Sequence, residues 1–565
     1  MKGRFLTCSI LLLLLIFTPL FAAGSKQAAP AGGSTSAATA APGQFPLVKG
    51  KAQLSVLTFK APYLTDFNNN NATKRYEDLT NVQVKYISVP QTGAREATNL
   101  LIAGGEYPDI IMSAGLNSAD EMNYGSQRIF IPLNDLIKNY GYWTNEAFKR
   151  YPELPAALVQ PDGKIYGLPN INEAFHTFYT MKAWMNENWL KKLNLKAPTT
   201  TEEFYQVLKA FKTQDPNGNG KADEIPMMGF YQLNQPRTDP WVFLLNSFVY
   251  FDPQTTKPCG FLELNNGKVG FVPILEDYRE GLRYVARLVS EGLIDPASFT
   301  QNLNQIKQIG TNPDAQVIGV FTDFVWWNAV GYNRDTKDRR ADNYPALAPL
   351  KGPKGVQNTP LTAVAFNTAF ANITDHCKDP VLAMRWLDGL YKEDVTKMIQ
   401  FGTKGVYWDD PAPGAQGINK KPALWRVLKT FPADMEDAGS ARNVFMGNRY
   451  SDLRLGEQAD WSNPETAFAQ EPKLYRETMD KYYPYSPKGK NVPEILYFTP
   501  QENQDYIRLR EQINTYTREN LVAFVNGNKS LDRDWVSYIT EFQKLDLNKY
   551  LQLVQAAYDR QYGKR

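Results

Sequence analysis

The chain has 565 residues, 43% of them hydrophobic, and a formal net charge of +3. That is material for more than one core, and the near-balanced charge, with no long basic run, argues against a nucleic-acid partner. With only two histidines, His176 and His376, a histidine-rich zinc site is excluded and a histidine-based triad has little to draw on.

At the N-terminus, Lys2 and Arg4 precede an apolar run at 10–17, and Ala22-Ala23-Gly24 supplies small residues for cleavage. This predicts a secretory signal peptide over 1–24, too short for a membrane span, and a periplasmic or secreted protein. Residues 25–48 read as a flexible spacer, because 25–44 is almost entirely Ser, Gly, Ala, Pro and Thr and cannot bury a core. A lipid anchor would need a cysteine at the cleavage point, and Cys8 lies too early, so free release is favoured over membrane attachment. Cys259 and Cys377 remain, either as one disulfide or as two thiols.

Strand 54–59, helix 73–80, strand 82–89, helix 95–103 stopped by Gly104-Gly105, and strand 110–112 follow in order. Such alternation predicts an open α/β sheet, in which ligands bind beyond the carboxyl ends of the strands. The loops at 60–63 and 113–115 are therefore candidates to face a ligand. A turn at Pro161-Asp162-Gly163 leads into a strand at 165–169, read as the chain crossing out of a first lobe.

Further on, Thr200 and Glu203 have capping-box spacing, and Phe204, Val207, Leu208 and Phe211 form one apolar helical face. The loop after that helix reads Asp-Pro-Asn-Gly-Asn-Gly-Lys-Ala-Asp-Glu over 215–224. Calcium takes six to eight oxygens, which a tight loop supplies from alternating positions. Here these are Asp215, Asn217, Asn219, the Lys221 carbonyl and Asp223, with Gly220 at the sharp turn. An EF-hand would place glutamate at the twelfth position, which is Pro226, so Glu224 would have to close the shell, and no second helix is expected. The alternative is a metal-free polar turn.

A strand at 317–321 precedes Thr322-Asp323, read as a helix start with Phe324, Trp326 and Trp327 in its first turns and as the place where the chain returns to the first lobe. From Lys420 onward the pattern is mainly helical, ending in helices at 534–545 and from Asn548.

With these blocks in order, the chain resembles the family 1 extracellular solute-binding proteins, in particular the alginate-oligosaccharide-binding and large lipoprotein-type members that serve bacterial carbohydrate ABC importers. The similarity lies in the segment 189–200, the calcium loop, the blocks Pro349-Leu350-Lys-Gly-Pro-Lys-Gly355 and Arg385-Trp386-Leu387-Asp388, and Gly402-Thr-Lys-Gly405-Val-Tyr-Trp408. It implies a two-lobed periplasmic-binding-protein-like α/β fold with open sheets, hinge crossovers and a helix-rich C-terminal part. Residues 49–165 and 316–400 would form one lobe, and 166–315 and 401–565 the other. It also implies a structural calcium ion, an oligosaccharide held between the lobes, hinge closure, delivery to permease subunits, and a monomer.

A sugar presents a C–H face and a rim of hydroxyls, so its site needs aromatic platforms and side chains that donate and accept hydrogen bonds. The candidates are Tyr63 beyond the first strand, Asn172 after the crossing, Trp241 in a Thr-Asp-Pro-Trp turn, Trp326 and Trp327, and Tyr407 and Trp408. For each the plainer reading is strong, since a tryptophan in a large protein is more often core or surface packing than a ligand platform. A peptide or another small solute is the alternative cargo. A secreted hydrolase or lyase would need a placed carboxylate pair, and Asp409-Asp410, adjacent on the chain, point to opposite sides.

Overall fold

The computed structural model describes residues 40–60, 66–230, 238–253, 260–312, 316–331, 339–361, 366–428, 448–459 and 470–563. The expected signal peptide, residues 25–39 of the spacer, Tyr63 and Cys259 lie outside these residues; the spacer does not extend to residue 48 as expected, because Leu47 and Val48 are buried in a core with the first strand. Among the described residues thirteen strands are formed: β1 (Ala52–Lys60), β2 (Val82–Pro90), β3 (Ile110–Met112), β4 (Gly167–Ile171), β5 (Ala183–Met185), β6 (Ile225–Met228), β7 (Leu262–Asn265), β8 (Lys268–Phe271), β9 (Ile318–Thr322), β10 (Ala346–Leu347), β11 (Phe366–Ile373), β12 (Trp408–Asp409) and β13 (Arg426–Val427).

The larger sheet has the order β2-β1-β3-β11-β4. β1 is parallel to β2 and β3, as the alternation of strands and helices predicts, while β11 enters antiparallel to both β3 and β4. Side chains alternate across it: Leu54, Val56, Ile110 and Met112 enter one core, and Leu57 and Ile111 enter another on the opposite face. The smaller sheet, β10-β5-β9-β6, pairs β6 parallel to β9 and sets β5 antiparallel to its neighbours. It shares its core with the long helix Pro500–Val525 and the terminal helices Trp535–Lys544 and Leu547–Tyr562. Both sheets lie within one compact unit.

Among the described residues the chain passes three times between the core around Leu54 and Val56, the first core, and the core of the smaller sheet, the second, and these passes are not where the sequence placed them. β4 is an edge strand of the first sheet, so the chain leaves after Ile171 rather than near residue 165. β9 does not begin a return at residue 316; it is an inner strand of the second sheet, and the return comes with β11. Residues from 401 onward do not all join the second core, because Phe401, Trp408, Trp425, Tyr450 and Leu453 pack in the first; the helix Gln470–Lys481 then contributes Leu474 to the second. A fully buried apolar run such as β9 carries no mark of which sheet it joins, since its partners lie far away in the chain.

The helix expected after Asp323 does not form. Its carboxylate takes the Phe324 N–H at 2.6 Å and the Asn328 amide at 2.8 Å, holding 324–330 as bends. Cys377 is a buried free thiol, with burial pushing its pKa up to about 12.

Candidate functional site

The helix Thr201–Thr213 forms as its spacing predicts. Thr200 Oγ1 accepts from the Glu203 N–H at 3.1 Å, the Glu203 carboxylate takes the Thr199 and Thr200 N–H groups, and Phe204, Val207, Leu208 and Phe211 are buried. The chain then turns through three residues of positive φ, Asp215 (46°), Gly218 (76°) and Gly220 (73°), and runs directly into β6. The strand after the loop accounts for the missing second helix.

Within the loop, Asp215 Oδ1 accepts from the Gly218 and Asn219 N–H groups and Oδ2 from Gly220. Burial opposes the charge on Asp215, but these backbone donors and Lys192 outweigh it and hold the carboxyl below its usual value. Asn217 Oδ1 accepts from the Asn219 N–H and Asn219 Oδ1 from the Lys221 N–H, while both amide nitrogens donate to Asp223. Glu224 Oε1 is buried without a hydrogen-bond partner, and burial, with Asp215 and Asp223 nearby, pushes its pKa up.

These residues fit an oxygen-binding divalent ion on two counts. Each asparagine oxygen uses one lone pair on a backbone N–H and keeps another, and the orphaned Glu224 oxygen lacks the cation its charge calls for. Among the described residues no three His, Cys, Asp or Glu side chains converge to hold an ion unaided, so amide and carbonyl oxygens would have to complete the shell.

A second feature sits at the carboxyl ends of β6 and β9. Just past β6, the Gly229 N–H donates to Ser298 Oγ at 3.1 Å and its carbonyl accepts from Gln301 Nε2 at 2.6 Å. Thr238 Oγ1 donates to the Phe230 carbonyl, and Thr322, the last residue of β9, donates to the Thr238 carbonyl, both at 2.6 Å. These bonds bring Trp241 and Phe299 face to face, with ring centroids 4.9 Å apart and planes 7° from parallel. The pair lines a cavity of about 380 Å³, into which the Pro500–Val525 helix contributes Arg518 and Glu519. Asp239 also lines it. It is 2% exposed, its side chain does not cap the Pro240–Leu245 helix, and its Oδ1 has no hydrogen-bond partner. Burial pushes its pKa well up, against a smaller opposing pull from Arg518.

A family model described as bacterial extracellular solute-binding protein matches residues 61–397. The chain belongs to that family. Among the relatives of this solute-binding protein is the fructooligosaccharide ABC transporter substrate-binding protein FusA of Streptococcus pneumoniae, 30% identical over 526 residues and 91% of each chain. The structure of FusA with kestose superposes with a TM-score of 0.68 at 26% identity, over 90% of this chain and 99% of that one. A FusA EF-hand mutant with fructo-nystose gives 0.67 at 27% identity and the same coverage. The polygalacturonan/rhamnogalacturonan-binding protein YtcQ of Bacillus subtilis is 24% identical over 346 residues, 60% of this chain and 64% of its own.

Tyr63 lies outside the described residues; of the described residues anticipated as ligand contacts in this solute-binding protein, only Trp241 lines the cavity. Trp326 is 1% exposed, its ring 5.8 Å from Trp184 and 4.7 Å from Trp327 with the Lys473 ammonium 4.3 Å away, so its faces are taken up in core packing; Trp327 is half-buried beside it. Trp408 packs in the first core and donates from Nε1 to the Gly402 carbonyl at 2.9 Å, with Tyr407 against the same core. Asn172 is exposed at the start of the first crossing, its backbone bridged to Arg449. Asp409 and Asp410 face different cations, Arg426 and Lys404, respectively. Phe299, Arg518 and Glu519 carried no sequence signal, and Asp239 was visible only as the turn residue that presents Trp241.

Proposed function

We propose that the protein is an extracytoplasmic substrate-binding protein that captures an oligosaccharide and delivers it to the permease of an ABC importer. The observation that carries this is near-full-length kinship with FusA, a fructooligosaccharide-binding protein. The ring-walled cavity at the strand ends supports it, since its volume and mix of apolar wall with few polar groups suit a small carbohydrate. The protein binds without catalysing; the relatives named above are binding proteins.

In this reading the two sheets are the centres of two lobes, with 172–182, 348–361 and 454–459 leading from one toward the other, and the loaded state differs from the empty one by hinge closure. The protein acts as a monomer outside the cytoplasm. The 215–224 loop holds a structural calcium through Asp215, Asn217, Asn219, the Lys221 carbonyl, Asp223 and Glu224. Bound there, calcium would neutralise the loop's carboxylates and fix the junction between the Thr201–Thr213 helix and β6.

A thermal-shift screen against neutral and acidic oligosaccharides tests the central statement. A cargo that binds only the folded protein raises the midpoint by mass action. No shift with any oligosaccharide, alongside a shift with peptides, would replace the carbohydrate reading with the peptide one.

A further inference from the structure

The relatives divide by the charge of what their names say they bind: fructooligosaccharides for FusA, polygalacturonan for YtcQ. The cavity beside Trp241 bears on that difference. Among its described lining residues are two carboxyl groups, Asp239 and Glu519, and a single cation, Arg518. A recognition site for uronates needs cations in excess of carboxyl groups, which the described lining lacks, because a carboxylate leaving water requires a guanidinium or ammonium to receive it.

Resting on the oligosaccharide-binding reading above, we propose that this cavity selects uncharged sugars and rejects uronate-bearing ones, with the Asp239 carboxyl hydrogen-bonding a sugar hydroxyl and Glu519 repelling anions. Three observations place Asp239 in that role. Its side chain is almost wholly buried, one of its oxygens has no partner within the protein, and it borders the space beside the stacked Trp241 and Phe299 rings. A buried polar atom left without a partner costs stability, and a ligand hydroxyl is the partner this cavity can admit. Burial keeps the group protonated more readily than an ordinary aspartate, and a neutral carboxyl both donates and accepts, matching a hydroxyl. A uronate carboxylate can only accept, and it would meet Glu519 across the same space.

The test is isothermal titration of the full chain at pH 7 with kestose, cellotriose and xylotriose, and with trigalacturonic acid. At least one neutral sugar is expected to bind 100-fold or more tightly than trigalacturonate. Comparable or tighter trigalacturonate binding would overturn the selectivity while leaving the oligosaccharide reading intact; no binding of any of the four would remove both. Asp239→Leu, which replaces a buried carboxyl with one unpartnered oxygen by an apolar group of similar size, is expected to leave the thermal midpoint near or above that of the wild type yet weaken the neutral sugar tenfold or more. Unchanged affinity would overturn the role of Asp239. Glu519 is exposed, so Glu519→Lys tests the repulsion without disturbing the core. It is expected to strengthen trigalacturonate binding at least tenfold and to leave the neutral sugar within threefold, and no gain for trigalacturonate would overturn the assignment of this cavity.

Discussion

Arg454 donates from Nη2 to Glu471 Oε2 at 2.5 Å, and His176 Nδ1 lies 3.3 Å from the other oxygen of the same carboxylate. Arg454 follows Tyr450 and Leu453 of the first core, Glu471 begins the helix that packs Leu474 into the second, and His176 lies on the first crossing. This ionic group thus ties the first pass of the chain between the two cores to residues on either side of the last. Burial pushes the Glu471 carboxyl up, but the Arg454 guanidinium and His176 together outweigh it and hold the group far below its usual value.

Glu471→Gln would leave Arg454, whose side chain is 16% exposed, without its counter-charge. Breaking one side of a buried pair costs about 3 kcal/mol or more. We expect a lower thermal midpoint at pH 7. Because the folded carboxyl titrates below the unfolded one, its contribution is present above the ordinary glutamate pKa and is lost as pH falls through the folded value. The gap between variant and wild type should therefore narrow below about pH 4.5, and calorimetry across that range checks both the size and the sign.

Glu121 presents the opposite case. It is 2% exposed and accepts from Asn372 Nδ2 at 2.8 Å and Gln160 Nε2 at 3.3 Å, and burial outweighs both donors to push its pKa up to about 8. The folded protein holds this proton more tightly than the unfolded chain, so its stabilising contribution is complete at low pH and is lost as pH rises through about 8. We expect wild type to lose stability between pH 6 and pH 9 relative to Glu121→Gln, which cannot ionise. Parallel melting curves for the two proteins would contradict this. Gly167 meets the same carboxylate: a Cβ there would lie 1.8 Å from Glu121 Oε1, and Gly167→Ala should cost about 1–3 kcal/mol by overpacking.

At the 215–224 loop, calcium should raise the melting midpoint and EGTA should reverse the rise. At free calcium about a hundred times the dissociation constant, mass action stabilises the folded state by about 2.7 kcal/mol. Glu224→Gln removes the unpartnered anionic oxygen while keeping the shape of the side chain, so the calcium-dependent shift should shrink by at least half. Magnesium, which demands a tighter octahedral shell, should give the smaller effect. An unchanged midpoint in calcium, EGTA and magnesium alike would leave the loop a metal-free turn.

What the sequence disclosed and what it withheld follow one rule. Features set by neighbours in the chain were readable: the capping box at Thr200 and Glu203, the apolar face through Phe211, the sharp turn at Gly220 after it, and the β1 to β3 alternation all appear where expected. Features set by distant segments were not. β9 joins β6 through a long crossover, and β11 returns between β3 and β4, choices that a buried apolar run does not record. Asp239, Phe299 and Arg518 meet only because a turn, a short 3₁₀ segment and a C-terminal helix converge on one cavity. Nothing local to Arg518 separates it from the other charges of its helix. Adjacent tryptophans such as Trp326 and Trp327 advertise a platform in sequence, but a large ring gains most from burial, and Trp326 is packed inside.

Trp241 offers the sharpest test of where the cargo sits. Its ring stacks on Phe299 and lines the cavity, so a bound sugar would find there the flat apolar surface its C–H face requires. Alanine would confound binding with stability, because truncating a buried aromatic costs about 3–5 kcal/mol. Trp241→Leu keeps much of the apolar volume and removes the plane. If the ring is a platform, its loss should cost about 1.5 kcal/mol of binding, near tenfold in the dissociation constant, with a smaller effect on the melting midpoint. Trp327→Leu, altering a half-buried ring packed on Trp326 outside the cavity lining, should change the midpoint more than the affinity. The reverse pattern, with Trp241→Leu binding as wild type and Trp327→Leu losing its sugar, would move the site to the Trp326–Trp327 bend at the end of β9.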